Sequence, residues 1–164
     1  MPDLFAVLDS HGIGFTRTDH PPVFTVEEAA RLVPPLPGRK TKNLFLRDQK
    51  GARHFLVVVG HDKSVDLKAL APVIGASKLS LGSPDRLKAR LGIEPGAVSL
   101  LALVNDPGHE VEVFIDRVLW QADALQCHPL VNTATLVIAH EGIERFLQAT
   151  GHPVRVVDVP ARTA

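Results

Sequence analysis

Cysteine is nearly missing from this 164-residue chain: Cys127 stands alone. One thiol cannot close an intrachain disulfide or build a Cys-rich zinc site, so disulfide scaffolds and zinc ribbons are excluded. Long apolar runs are missing as well. The longest are about the length of Phe55–Val59, far short of the ~20 residues that a bilayer span needs. The first residues, MPDLFAVLDSHG, carry no basic stretch ahead of their apolar positions and no cleavage pattern. No signal peptide is expected there, and the expected location is the cytoplasm. Repeats and low-complexity tracts are lacking too.

Familiar chemical signatures are equally scarce. There is no G-x-x-x-x-G-K-[ST] or G-x-G-x-x-G phosphate cradle and no G-x-S-x-G elbow. The eight histidines fall singly, none at H-E-x-x-H spacing, so neither a metal nor a cofactor is expected. Cys127 and His128 are adjacent, and neighbours in a strand point to opposite faces. A Cys–His nucleophile pair is therefore disfavoured, and a small buried cysteine is the simpler reading.

What is present fits one ordinary globular domain, expected over residues 1–164: 45% of residues are hydrophobic and 22% charged. A domain this size buries roughly 70% of its unfolded surface, enough for a proper core. Net charge is zero, but it is distributed unevenly. Residues 36–90 hold 12 Lys/Arg against 4 Asp/Glu, while residues 91–164 hold 4 against 9. Such asymmetry suits a phosphate-bearing partner on one face, or a solvated surface that is mixed only in sequence.

Local patterns predict a mixed α/β fold. Helices are expected over 3–11, about 26–32, 65–74, 84–91 and 141–149. Thr25–Glu28 reads as a capping box. Asp62 or Ser64 would cap the third helix. Ser83-Pro84-Asp85 is a strong start for the fourth. Strands are expected at 15–20, 43–47, 54–59, 98–104, 111–115, 136–139 and 154–159. The continuous apolar run 98–104 reads as a strand buried on both faces, and 111–115 as a half-covered one. Residues 33–38, VPPLPG, form a stiff loop. The order of elements is not a regular strand–helix alternation. The expectation is a single-domain α/β fold with a mixed, largely antiparallel sheet and flanking helices.

Two segments carry more polar chemistry than packing requires. One is Arg39-Lys-Thr-Lys-Asn43 at the start of an apolar strand, where Lys42 could serve a site or merely blunt a strand end. The other is Gln126-Cys-His-Pro-Leu-Val-Asn-Thr-Ala-Thr135, which could also be an irregular turn with self-bonded Asn and Thr side chains.

These segments, read with His20-Pro-Pro-Val-Phe-Thr25-Val-Glu-Glu-Ala-Ala30, Lys42-Asn43-Leu-Phe-Leu, Gly96-Ala-Val-Ser99 and His128-Pro-Leu-Val-Asn132, resemble the YbaK/prolyl-tRNA-synthetase-associated editing domains. The resemblance covers roughly residues 3–160 and looks strongest toward that family's free-standing alanyl-tRNA(Pro) deacylases. No single motif is specific, but four stand in register. The resemblance implies a trans-editing hydrolase that cleaves the ester between a wrong amino acid and the terminal adenosine of tRNA(Pro). Its rationale is that a proline pocket cannot strongly reject smaller alanine, since missing methylenes are worth only ~1–3 kcal/mol. It places the catalytic residues at Lys42, Asn43 and His128. It places the substrate wall at Gly96, Ser99, Cys127, Pro129 and Asn132, with backbone N–H groups of the 126–131 loop facing the ester. Arg39 and Lys40 would contact the acceptor end of the tRNA, and prolyl-tRNA synthetase is a candidate second partner. The sequence departs from many relatives at Gln126–Pro129, where they have a glycine-rich start, and at Leu100, where they have proline after the serine. Both departures bear on which amino acid is removed. The alternatives are a deacylase for cysteine or serine and a non-catalytic tRNA-binding module.

Overall fold

Two sheets meet along one seam in the computed structural model, which describes residues 3–162. The smaller sheet has the order β1 (Thr16–Asp19), β7 (Ala134–Ala139), β6 (Ala124–Cys127) and is antiparallel throughout. The larger has the order β4 (Ser80–Leu81), β2 (Thr41–Arg47), β3 (His54–Gly60), β5 (Val111–Asp116), β8 (Val154–Val157). Its β4–β2–β3 part is antiparallel, and β3, β5 and β8 run parallel. Four of these six pairings are antiparallel, as the element order implied. Flanking helices are α1 (Leu4–Ser10), α2 (Val26–Leu32), α3 (Leu67–Val73), α4 (Pro84–Leu91), α5 (Arg117–Trp120) and α6 (His140–Thr150). Among the described residues, no helix is long and apolar enough to cross a membrane.

β3 is buried along its whole length, so its two faces feed two cores. Leu56 and Val58 join Phe45, Val113 and Ile115 in the core between the sheets, with α1, α4 and α6 closing it. Phe55, Val57 and Val59 join Leu46 and Phe114 in the second core, which α3 covers through Leu70 and Ala71. Because Phe114 is buried there, β5 is covered on both faces rather than half-covered.

Capping chemistry works largely as read. Ser83 Oγ accepts from Arg86 N–H and Gly92 ends α4 at φ 67°. Thr25 Oγ1 accepts from Glu28 N–H at 3.0 Å. The return bond of that box goes one residue earlier, from Phe24 N–H to Glu28 Oε1 at 3.2 Å.

Three expectations are corrected. Residues 98–104 are not a strand: Ser99 caps a 3-10 helix over Leu100–Asn105, accepting from Leu101 N–H at 3.1 Å. Leu100–Val104 are buried on all sides, so no periodicity distinguishes a helix from a strand there. α3 begins at Leu67 under an Asp66 cap, not under Asp62 or Ser64. Val65 is held extended by its bridge to Ala161, and Asp66 N–H donates to Pro160 O. The third correction is β6. Residues 124–127 had no predicted strand, yet they pair with β7 in register Gln126↔Val137.

Candidate active site

The seam between the sheets is built from main chain. Arg39 N–H donates to Ala124 O at 2.9 Å, and Gln126 N–H donates to Arg39 O at 2.9 Å. Thr41 Oγ1 adds a 2.6 Å bond to Gln126 O. The Gln126 side-chain amide faces three carbonyls of the proline loop, Leu36, Pro37 and Gly38, at 3.2–3.4 Å. These contacts hold the start of β2 beside the end of β6. The two polar segments, some 85 residues apart in sequence, therefore share one wall.

A cavity of about 240 Å³ opens at this seam. Lys40, Lys42 and Asn43 reach it from β2 and the preceding residue, and Gln126, Cys127 and His128 from β6 and its exit. Gly96 and Val98 close one side, and Val23, Phe24 and Thr25 another. Of the residues expected at the site, Lys40, Lys42, Asn43, Gly96, Cys127 and His128 line this cavity. Ser99, Pro129, Asn132 and Arg39 do not. Ser99 is fully buried with its hydroxyl used as a helix cap. Pro129 is buried. Asn132 sits one layer back, where its side-chain amide donates to Val23 O at 3.2 Å and its own carbonyl accepts from Val23 N–H at 3.3 Å. Arg39 is exposed and contributes its main chain to the seam.

The polar groups differ in what they can do. The Lys42 ammonium donates to Lys63 O. The Lys63 ammonium in turn donates to Asp116 Oδ2 at 2.6 Å and Val159 O at 2.8 Å. Partial burial lowers the Lys42 pKa, and the Asp62 carboxylate opposes that shift. Asn43 Oδ1 is buried and makes no hydrogen bond within the protein. The His128 pKa is also lowered, chiefly by burial, against the opposing effect of its bond to Ala134 O. Its Nδ1 lies 3.2 Å from that carbonyl, so Nδ1 carries the proton and Nε2 keeps a lone pair. The Cys127 thiol is buried and pushed up to about 12, so it is a neutral wall group and not a thiolate.

His20 and Thr135 were not picked out as site residues. His20 Nδ1 lies 2.9 Å from Pro21 O and its Nε2 lies 2.8 Å from Thr135 Oγ1. This pair, 115 residues apart in sequence, fastens the His20-Pro-Pro segment to β7, and Thr135 lines the cavity. The sequence signal was the His-Pro-Pro segment itself. It fixes the backbone but names no partner.

Tertiary pairing takes up four of the twelve cations of residues 36–90. Arg53, Lys63, Lys88 and Arg90 bond Glu112, Asp116, Glu94 and Glu110. Arg39 and Lys40 form none of the ion pairs found among the described residues. Among those residues, no three His, Cys, Asp or Glu side chains converge as a metal site.

Comparison with known proteins follows the same outline. The sequence profile of the aminoacyl-tRNA editing domain matches residues 20–146. The prolyl-tRNA editing protein ProX of Acetoanaerobium sticklandii is 39% identical over 156 residues, which is 95% of either chain. The prolyl-tRNA synthetase associated domain-containing protein 1 of Danio rerio is 41% identical over 139 residues, 84% of this chain and 75% of that one. A solved structure described as a candidate trans-editing enzyme for prolyl-tRNA synthetase shares the fold, with a TM-score of 0.67 at 20% identity over 98% of this chain and 99% of that one.

Proposed function

The chain belongs to the aminoacyl-tRNA editing domain family, and from that premise we propose that it hydrolyses misacylated tRNA(Pro), with alanyl-tRNA(Pro) as its substrate, in the compartment where tRNA is charged. The observation that carries the reading is the cavity of about 240 Å³ lined together by Lys42, Asn43 and a neutral His128 beside apolar walls. The aminoacyl group enters the cavity, and the terminal ribose stands at its mouth. Val23, Val98 and Cys127 give the wall an apolar lining that suits a methyl side chain. A hydroxyl or amine on the substrate finds its polar partners at Asn43, His128 and Thr135.

The chemistry supported is attack of water on the ester carbonyl. The tetrahedral intermediate carries an oxyanion, which the Lys42 ammonium and backbone N–H groups beyond Gln126 stabilise. Gln126 N–H itself is committed to Arg39 O and takes no part. One well-placed donor of this kind is worth ~3–4 kcal/mol where measured. Collapse of the intermediate breaks the bond to the ribose oxygen, which takes up a proton, and releases alanine and tRNA. The ribose 2′-hydroxyl of the substrate positions the water. Neutral His128, with its Nε2 lone pair, orients the substrate by accepting a hydrogen bond. Arg39 and Lys40 hold the acceptor end through phosphates, and phosphate contacts position without selecting the amino acid. Two relatives, one named for prolyl-tRNA editing and one for association with prolyl-tRNA synthetase, support tRNA as the partner and the synthetase as a second one.

The test is single-turnover hydrolysis of alanyl-tRNA(Pro) by the intact protein. Release of alanine well above the buffer rate is expected. A rate equal to buffer at saturating protein would refute the reading and leave a tRNA-binding module.

A further inference from the structure

Phe24 is the most exposed large apolar side chain among the described residues, 70% accessible, and it stands on the wall of the cavity. The ring is exposed while the backbone beneath it is fixed. Phe24 N–H donates to Glu28 Oε1. The preceding residue, Val23, is clamped on both sides by Asn132, its N–H on the Asn132 carbonyl and its carbonyl on the Asn132 amide. The ring rests against Gly96: a Cβ at that position would lie 3.0 Å from Cδ1 and 3.1 Å from Cε1. Glycine at 96 is therefore what lets the ring occupy this place, with its remaining surface turned to solvent.

We propose that Phe24 is the platform on which the base of the tRNA's terminal adenosine stacks. The inference rests on the hydrolase reading above for where the ester lies. As a sphere, a cavity of about 240 Å³ is about 8 Å across, so a ring on its wall is within one nucleoside's reach of an ester bound inside. The base is attached to the same ribose as the ester and must leave through the mouth. The exposed ring offers it a π-face, and base–aromatic stacking tolerates any base because every base has such a face. Phe24 thus sets the depth and orientation of the terminal nucleoside, while the cavity reads the amino acid.

Two measurements test this. The first compares kcat/KM for the alanyl ester of adenosine with that for the alanyl ester of a ribose lacking the base. Wild type should prefer adenosine by about 5- to 150-fold, the range for one stacked base. Phe24→Ala should bring that ratio close to one, mainly through KM, and Phe24→Trp should restore it. The second measures equilibrium binding of an uncharged RNA minihelix ending in CCA against one with an abasic last position. Wild type should prefer the first and Phe24→Ala should not. This binding readout needs no hydrolysis, so base-dependent binding without hydrolysis would sink the hydrolase reading and leave the platform standing. An unchanged adenosine preference in a folded Phe24→Ala protein would overturn the proposal. So would a Phe24→Ala protein whose choice among amino acids shifts while its base preference stays, because the ring would then lie over the acyl group.

Discussion

Replacing Cys127 by alanine separates shape from nucleophilic chemistry at the cavity wall. The thiol lines the cavity, is 4% exposed, and is pushed up to about 12 by burial alone. At pH 7.5 such a thiol is ionised in on the order of one molecule in 10⁴ to 10⁵, against roughly one in ten for an unperturbed cysteine. Iodoacetamide should therefore alkylate the native protein about three orders of magnitude more slowly than the urea-unfolded chain. Loss of the sulfur leaves a small void in the core between the sheets, a change costing about 1–2 kcal/mol. For a domain of this size that lowers Tm by about 2–8 °C. Below that temperature, hydrolysis of alanyl-tRNA(Pro) should keep most of its wild-type rate, since water and not sulfur attacks the ester. The assay is single-turnover deacylation beside a thermal melt and a timed alkylation. A folded Cys127→Ala protein that has lost hydrolysis by orders of magnitude, as removal of a nucleophile does, would refute the reasoning. Stoichiometric alkylation of the native protein that abolishes activity would do the same.

Other expectations follow from the same geometry. Lys42→Ala should lower the hydrolysis rate by about 10²–10³-fold, the worth of one oxyanion donor. Its effect on stability should be near 1 kcal/mol, because it forfeits one bond to Lys63 O at a half-buried site; near wild-type hydrolysis would displace the site. The depressed His128 pKa means that the folded protein holds the imidazole neutral below pH 6.5, where the unfolded chain already binds a proton. Stability from this group is complete above about 6.5 and is lost as pH falls toward the folded pKa. kcat/KM should hold to below pH 6.5 and then fall about tenfold per pH unit, and a profile breaking above 6.5 would contradict a neutral His128. Affinity for tRNA should fall with salt at a log–log slope of about −2 to −3, the value for phosphate contacts from about two to four basic residues such as Arg39 and Lys40. Lys40→Glu should flatten that slope by about one without altering the preference for alanine over proline, whereas an equal slope would place the tRNA elsewhere.

The sequence was legible where local chemistry decides structure. The Ser83 cap, the Thr25 hydroxyl cap and the β2–β3 hairpin all follow from neighbours a few residues apart. It was not legible where tertiary contacts decide. Leu100–Val104 is apolar on every side, and only the Ser99 cap and surrounding helices make it a 3-10 helix. β6 is a strand because β7 pairs with one edge and Arg39 with the other, and neither partner is local. The site divides the same way. Lys42, Asn43 and His128 stood out as polar chemistry beside apolar strands, and the fold brings all three to one cavity. Asn132 stood out equally but clamps Val23, and Ser99, placed at the site by the resemblance alone, caps a helix. His20 and Thr135 meet across 115 residues, a distance no local pattern spans. The charge excess of residues 36–90 is cancelled in space only in part, because four of its twelve cations pair with Glu94, Glu110, Glu112 and Asp116.

The central claim is that this cavity removes a small wrong residue from tRNA(Pro) and spares the right one. Incubating the protein with alanyl-, seryl-, cysteinyl- and prolyl-tRNA(Pro) under single-turnover conditions tests it most directly. Rapid loss of alanine, slower loss of serine and cysteine, and prolyl-tRNA(Pro) that survives as long as it does in buffer are expected. Hydrolysis of prolyl-tRNA(Pro) as fast as alanyl-tRNA(Pro), or of seryl- or cysteinyl-tRNA(Pro) in preference to it, would contradict the account.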